Sequence, residues 1–241
     1  MSDLDLIREM PKRLKWGLRF GDHDACLVYV HIGKCGGASL WSAIRKSDRI
    51  ANSFRSVRKI HVEKPPILKR ARYAIVLRNP VVRAVSAFNW RYKLVVEDGK
   101  REKFPNEREI LKKYQTINTL SENLYDADGL NTQVAHDFNH IHHLHENISF
   151  YLTDLLKSVS REQIFFVLST ETLDADVAAL TGIKKVARIH ENAHKTDTRK
   201  KALTTSGRAN LKRFLADDYQ AIEDLLSLNH TTQTEKNVLL T

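Results

Sequence analysis

Cysteine is nearly missing from this chain: Cys26 and Cys35 are the only two in 241 residues. Two thiols cannot build a disulfide framework, so a stapled secreted mini-domain is excluded. Five prolines and nine glycines are too few for a collagenous or low-complexity chain. No apolar stretch approaches the ~18 residues that read as a membrane span. The opening residues, MSDLDLIREMPKRLKWGLRF, carry acids early and no unbroken apolar core, so they do not read as a signal peptide. A hydrophobic share of 42% excludes a disordered chain, and a chain of this length buries about 70% of its unfolded surface without help from metal. The expectation is a soluble, cytoplasmic globular protein of one large domain.

Acidic residues are also in the minority. Lys and Arg number 39 against 29 Asp and Glu, a formal charge of +10. Such an excess suits anionic partners: nucleic acid, acidic glycans, a phosphorylated cofactor or a lipid surface. Simple solvated charge gives the same total, so the placement of the basic residues has to decide.

Ala25 to Ile32 is a continuous apolar, β-branched run and reads as a strand buried on both faces. A glycine-rich turn from Gly33 to Gly37 follows, then helical spacing from Ala38 to Lys46. Val57 to Val62 is a weaker strand signal. Arg72 to Leu77 is a stronger one, closed by Asn79-Pro80, with Pro80 suited to the first turn of a helix through Val81, Val85, Phe88 and Tyr92. Gln163 to Leu168 reads as a fourth strand, with a helix from about Glu171 to Leu180. Leu211, Phe214, Leu215, Tyr219, Ile222, Leu225 and Leu226 line one face of a long C-terminal helix. Strands alternating with helices predict an α/β protein with a parallel sheet flanked by helices. The charged stretch from about 97 to 147 lacks strand signals and reads as a helical insertion or lid within the same domain.

Two motifs fall at the carboxyl ends of predicted strands, where open α/β sheets bind ligands. The first runs His31-Ile-Gly-Lys-Cys-Gly-Gly-Ala-Ser-Leu40. Gly36 and Gly37 let backbone N–H groups converge on an anion, the helix start adds its partial positive charge, and Lys34 adds a full one. A Walker A loop needs its lysine after the last glycine and before Ser or Thr. Here Lys34 precedes the double glycine and Cys35 follows it, which disfavours an ordinary ATPase or GTPase. A tight βα turn with a surface lysine is the structural alternative. The second motif is Arg78-Asn-Pro-Val-Val-Arg-Ala-Val-Ser86. A guanidinium can fork onto a phosphate while a hydroxyl donates to another oxygen. An arginine at a strand end also caps helices, but two such sites on neighbouring strands suggest a ligand with phosphates at both ends.

The first motif resembles the 5′-phosphosulfate loop of the carbohydrate sulfotransferases, H-x-P-K-T-G-G-T-S-L in many members. Leu77 to Phe88 resembles their 3′-phosphate motif, including the arginine-to-serine interval. Weaker echoes are Asn131-x-Gln133, Phe165 to Leu173 and His190-Glu-Asn192. Gly33 stands where the family usually has Pro, and Cys35 where it has Thr. The resemblance implies a P-loop-like fold and 3′-phosphoadenosine 5′-phosphosulfate (PAPS) as sulfuryl donor, with a carbohydrate or other hydroxyl-bearing acceptor and no metal or nucleic acid. It implies that Lys34, Cys35, Gly36, Gly37, Ala38 and Ser39 hold the 5′-phosphosulfate, and that Arg78 and Ser86 hold the 3′-phosphate.

Sulfuryl transfer needs a base for the hydroxyl proton and positive charge on the leaving phosphate. Lys34 suits the second role. His61 suits the first by its intrinsic pKa, and the heparan 2-O-sulfotransferases, which the chain resembles, place a catalytic histidine in the same interval. Glu63, two residues on and so on the same side of a strand, is the next candidate. His136, His140, His142, His143 and His145 cluster without a metal motif, His136 and His140 at helical i, i+4 spacing. Cys35 as a nucleophile lacks partners in the pattern. The basic residues between Arg188 and Arg213 read as ligand contacts or solvated charge, and the tryptophans and Phe104 show no stacking pattern. The alternatives are a P-loop-like kinase, which lacks its Walker loop here, and a basic nucleic-acid-binding protein, which lacks a binding motif.

Overall fold

A computed structural model of the chain describes residues 26–183, 202–229 and 239–240. In order, these form strand β1 (Cys26–Val30), helices α1 (Gly37–Lys46) and α2 (Asp48–Ser53), β2 (Ser56–Ile60), β3 (Arg72–Leu77) and α3 (Pro80–Arg91), which runs into a π-helical turn at Tyr92–Glu97. Helices α4 (Glu107–Tyr114) and α5 (Ile117–Glu122), the short strands β4 (Tyr125–Asp126) and β5 (Gly129–Leu130), α6 (Thr132–Asn139) and α7 (Ile148–Leu156) follow. Strand β6 (Ile164–Ser169) and helices α8 (Leu173–Thr181), α9 (Thr205–Phe214) and α10 (Ala216–Asn229) complete the set.

The main sheet is all-parallel, in the order β2-β1-β3-β6, and helices flank it. Every residue of β1 is buried, which is why its sequence is apolar on both faces. Each fully buried Val or Leu there contributes roughly 1.5–3 kcal/mol. Strand β2 lies at the edge and exposes Arg58 and Lys59, so its weak signal in the sequence is the signature of an edge. From β1 the chain moves to one side, to β2, whereas β3 leads to the other side, to β6. The reversal falls between β1 and β3, and a crevice opens at the carboxyl ends of such a pair.

Pro80 sits in the first turn of α3 and Asn79 caps it, its side chain accepting from the Val82 N–H, as the sequence predicts. The expected long C-terminal helix is instead two, broken at Leu215. The chain restarts there with Asp217 and Asp218 in a new first turn, where carboxylates are favoured. The region from 97 to 147 carries α4, α5, α6 and the β4–β5 hairpin, joined by turns. A fully buried ion pair ties it to α3: Arg91 Nε and Nη2 donate to the two oxygens of Glu107 at 2.8 and 2.7 Å. Burial alone would raise the Glu107 pKa, but bonds from Arg91, Lys103 N–H and His142 N–H outweigh it and hold the carboxyl low. Two apolar clusters result, one on the sheet with α7 and α10, the other between α3, the 97–147 region and α9. No helix among the described residues is long and apolar enough to cross a membrane.

Candidate functional site

The loop between β1 and α1 is held open by backbone geometry. Lys34 and Gly36 both adopt left-handed conformations, with φ of 71° and 70°. Gly36 occupies the cap position of α1 and supplies no side-chain acceptor to the first N–H groups of the helix, the groups that can bind an anion at a helix start. Gly37 has no room for a side chain, because a Cβ there would overlap the His31 ring and stand 2.7 Å from the Tyr29 hydroxyl. Tyr29 also donates to the Gly37 carbonyl at 3.2 Å. Ser39 is buried on α1. These contacts fix the loop against β1.

Cys35 is fully buried, its Sγ turned back toward the Gly33 carbonyl at 3.9 Å. Burial pushes its thiol up to about 12, against the lowering effect of Arg83 and Arg78. A thiol that stays protonated is a poor nucleophile, and what position 35 presents to the loop is its backbone. Lys34 goes the other way. Burial and then the Arg78 charge lower its pKa to about 8.

Arg78, half-buried at the end of β3, donates from Nη1 to the Lys34 carbonyl at 3.2 Å. The two motifs are thereby joined at the carboxyl ends of β1 and β3. Ser86 is half-buried on α3, about 9 Å along the axis from Pro80. Arg83, which sequence reasoning passed over within the same motif, is fully buried behind the loop. Its Nη1 donates to the carbonyls of Gly33 (3.4 Å), His143 (2.7 Å) and Glu146 (3.4 Å).

His61 lies just beyond the end of β2, half-buried. Its Nδ1 is 3.1 Å from the His31 carbonyl, an acceptor only. Nδ1 therefore carries the proton, and Nε2 keeps its lone pair for a substrate hydroxyl. Burial lowers the His61 pKa; the His31 hydrogen bond opposes this, Lys59 and His142 add to it, and Glu146 opposes it. The ring stacks on His31 at 4.4 Å and leans on His143 at 5.3 Å. Glu63 does not share that side. Strand β2 stops at Ile60, and Val62 turns with φ 55°, its N–H held by the Tyr151 hydroxyl at 3.0 Å. Strand alternation no longer applies across this turn, and Glu63 is exposed.

The histidine-rich segment divides. His136 and His140 stack on each other at 3.9 Å near the surface, while His142 and His143 are buried at the site. His142, His143 and Glu146 are the described residues whose ligand atoms gather within 4.8 Å. Their geometry favours hydrogen bonding over metal. The two rings lie face to face at 4.0 Å and 25°, and His142 Nδ1 already meets Glu146 at 3.2 Å. Arg83 and Lys34 add positive charge, which disfavours a further cation there. His143 also faces Trp90, whose indole lies under Lys34 Nζ at 4.6 Å. The spacing of the tryptophans and Phe104 gave no hint of this. Asn131 caps α6, and Gln133 bonds Asp137, both local structural duties. Arg213 lies over Tyr125 and Lys212 reaches the Leu240 carbonyl. Arg188, His190 to Asn192, Lys195, Arg199, Lys200 and Lys201 lie outside the described residues.

The chain matches no protein-family model, and neither a curated protein nor a solved structure is similar enough to it to count as a match.

Proposed function

We propose that this chain is a single-domain, P-loop-like sulfotransferase that moves the sulfuryl group of PAPS to a hydroxyl, on a carbohydrate or similar acceptor. The observation that carries the reading is the bond from Arg78 to the Lys34 carbonyl. It sets two anion-seeking groups side by side at the reversal point of a parallel sheet, where a donor with phosphates at both ends is expected to lie. The residues fit that donor: the first turn of α1 has no side-chain cap, and Lys34 has no carboxylate within 4.0 Å among the described residues. Two buried free thiols, Cys26 and Cys35, suit a reducing cytoplasmic setting.

In this mechanism His61 Nε2 takes the acceptor proton as the acceptor oxygen bonds to sulfur. The bond from sulfur to the 5′-phosphate oxygen breaks in line, and Lys34 with the α1 N–H groups stabilises the charge that collects on the leaving phosphate. Arg78 and Ser86 hold the 3′-phosphate and so keep the reacting atoms aligned. Calorimetry with adenosine 3′,5′-bisphosphate tests the reading. Tight binding of the bisphosphate, with far weaker binding of magnesium ATP and of DNA, is expected. The reverse order would point to a kinase or a nucleic-acid-binding protein and overturn it.

A further inference from the structure

The Lys34 ammonium rests on an aromatic face. Its Nζ lies 4.6 Å from the centre of the Trp90 indole, and Trp90 is only half-buried at the end of α3. The groups facing the ammonium offer no counter-charge. Arg78 repels it, the Cys35 thiol is neutral, and His143 and Arg83 stand behind the loop. A ring face satisfies a buried ammonium far less well than a phosphate oxygen does.

We infer that Trp90 is a latch for Lys34, holding the ammonium in the free protein and releasing it to an anion that arrives at the start of α1. The inference rests on the proposed use of Lys34 as the anion's partner. Two consequences follow. Removing the indole removes a competitor, so anion affinity rises by roughly two- to tenfold, the range expected for a modest cation–π contact. The indole also senses the ammonium, so Trp90 emission reports both the protonation and the departure of Lys34.

The test uses the full chain with Trp16 and Trp41 replaced by Phe, leaving Trp90 as the single fluorophore. In the absence of ligand its emission should step with a midpoint of about 8 as Lys34 loses its proton. His142, His143 and Arg91 also face the indole, so the step is assigned by its loss in Lys34→Met. Saturating adenosine 3′,5′-bisphosphate should change the emission at pH 7 and abolish the step. Calorimetry on Trp90→Leu and Trp90→Phe should show tighter bisphosphate binding, Leu more than Phe. A missing emission step, a step that survives Lys34→Met, or weaker binding by a folded Trp90→Leu protein each overturns the latch. If the bisphosphate does not bind the wild-type chain, the sulfotransferase reading fails, while the pH step still decides the latch.

Discussion

Gly33 and His143 compete for one volume: a Cβ on Gly33 would overlap Nδ1 of His143 and stand 2.8 Å from its Cε1. His143 reaches this place with φ 68°, its peptide N–H bonded to Glu146 at 2.7 Å and its carbonyl held by Arg83. The absence of a side chain at 33, where the resembled loop has Pro, is thus matched by an imidazole from the far end of the 97–147 region. Gly33→Ala should destabilise the protein by about 1–3 kcal/mol through overpacking. His143→Gly should relieve both the overlap and the strained φ, so that Gly33→Ala costs much less in that background. Urea unfolding of the four proteins gives the coupling, and simple additivity would show that the two residues do not share the space.

The strands were legible because parallel strands buried on both faces are written as apolar runs, and Leu27 to Val30 or Ala74 to Leu77 allow little else. The anion loop was legible because Gly36 and Gly37 perform their function through local backbone. His143 and Trp90 were not. Each acts by touching residues more than 50 positions away, and neither occupies a spacing that signals the contact. Arg83 was hidden differently: an arginine inside a helical motif reads as solvated, and only the packing of α7 and α10 behind the loop encloses it. The end of β2 was misread because a valine at 62 looks like strand, whereas the Tyr151 hydroxyl holds it in a turn.

The rate should depend on pH through two groups with opposite requirements. His61 must be neutral to accept a proton, and its pKa lies below the usual 6.5, so kcat/KM should rise through a midpoint under that value. Lys34 must be charged, and its pKa is about 8 in the free protein, so kcat/KM should fall above that pH. Lys34→Arg should remove the alkaline fall, and Lys34→Ala should cost about 10²–10³ in turnover. A profile flat from pH 7 to 9.5 would take Lys34 out of the chemistry.

His61→Ala should leave bisphosphate affinity within a few-fold and lower turnover by about 10²–10⁴, the range for a positioned general base. The acid limb of the profile should go with it. Glu63→Gln, at an exposed position beyond the Val62 turn, should keep near-normal turnover. The opposite pair of results would move the base by two residues and contradict the geometry of the turn.

Stability should also respond to pH through His31. Its folded pKa is lowered to about 3 by burial, then by the charges of His61 and Lys59. Below 6.5 the unfolded chain takes up a proton that the folded ring refuses, so stability is full above 6.5 and is lost as pH falls toward 3. The loss is on the order of a few kcal/mol at most. His31→Phe should flatten this part of the melting-temperature profile. An unchanged slope would mean that other groups, His143 among them, account for it.

Arg78 and Arg83, five residues apart in one motif, should fail in different ways. Arg78 is half-buried and gives one bond to the Lys34 carbonyl, with the rest of its guanidinium available to a phosphate. Arg78→Ala should weaken bisphosphate binding by about 1.5–3 kcal/mol, the scale of charged hydrogen bonds, with little change in melting temperature. Arg83 is fully buried, and its Nη1 gathers three carbonyls. Its charge also steadies the buried Asp218, whose pKa burial raises and Arg83 lowers. Arg83→Ala would leave those carbonyls and that carboxyl group without their cation, and a loss of about 3–5 kcal/mol of stability is expected. Arg83→Lys should rescue part of that loss, because one nitrogen, Nη1, makes all three carbonyl contacts and a lysine ammonium carries three donors. The deciding comparison is melting temperature against bisphosphate affinity in the same preparations. If Arg83→Ala stays fully stable and loses only affinity, then Arg83 is the phosphate ligand and the assignment of Arg78 fails.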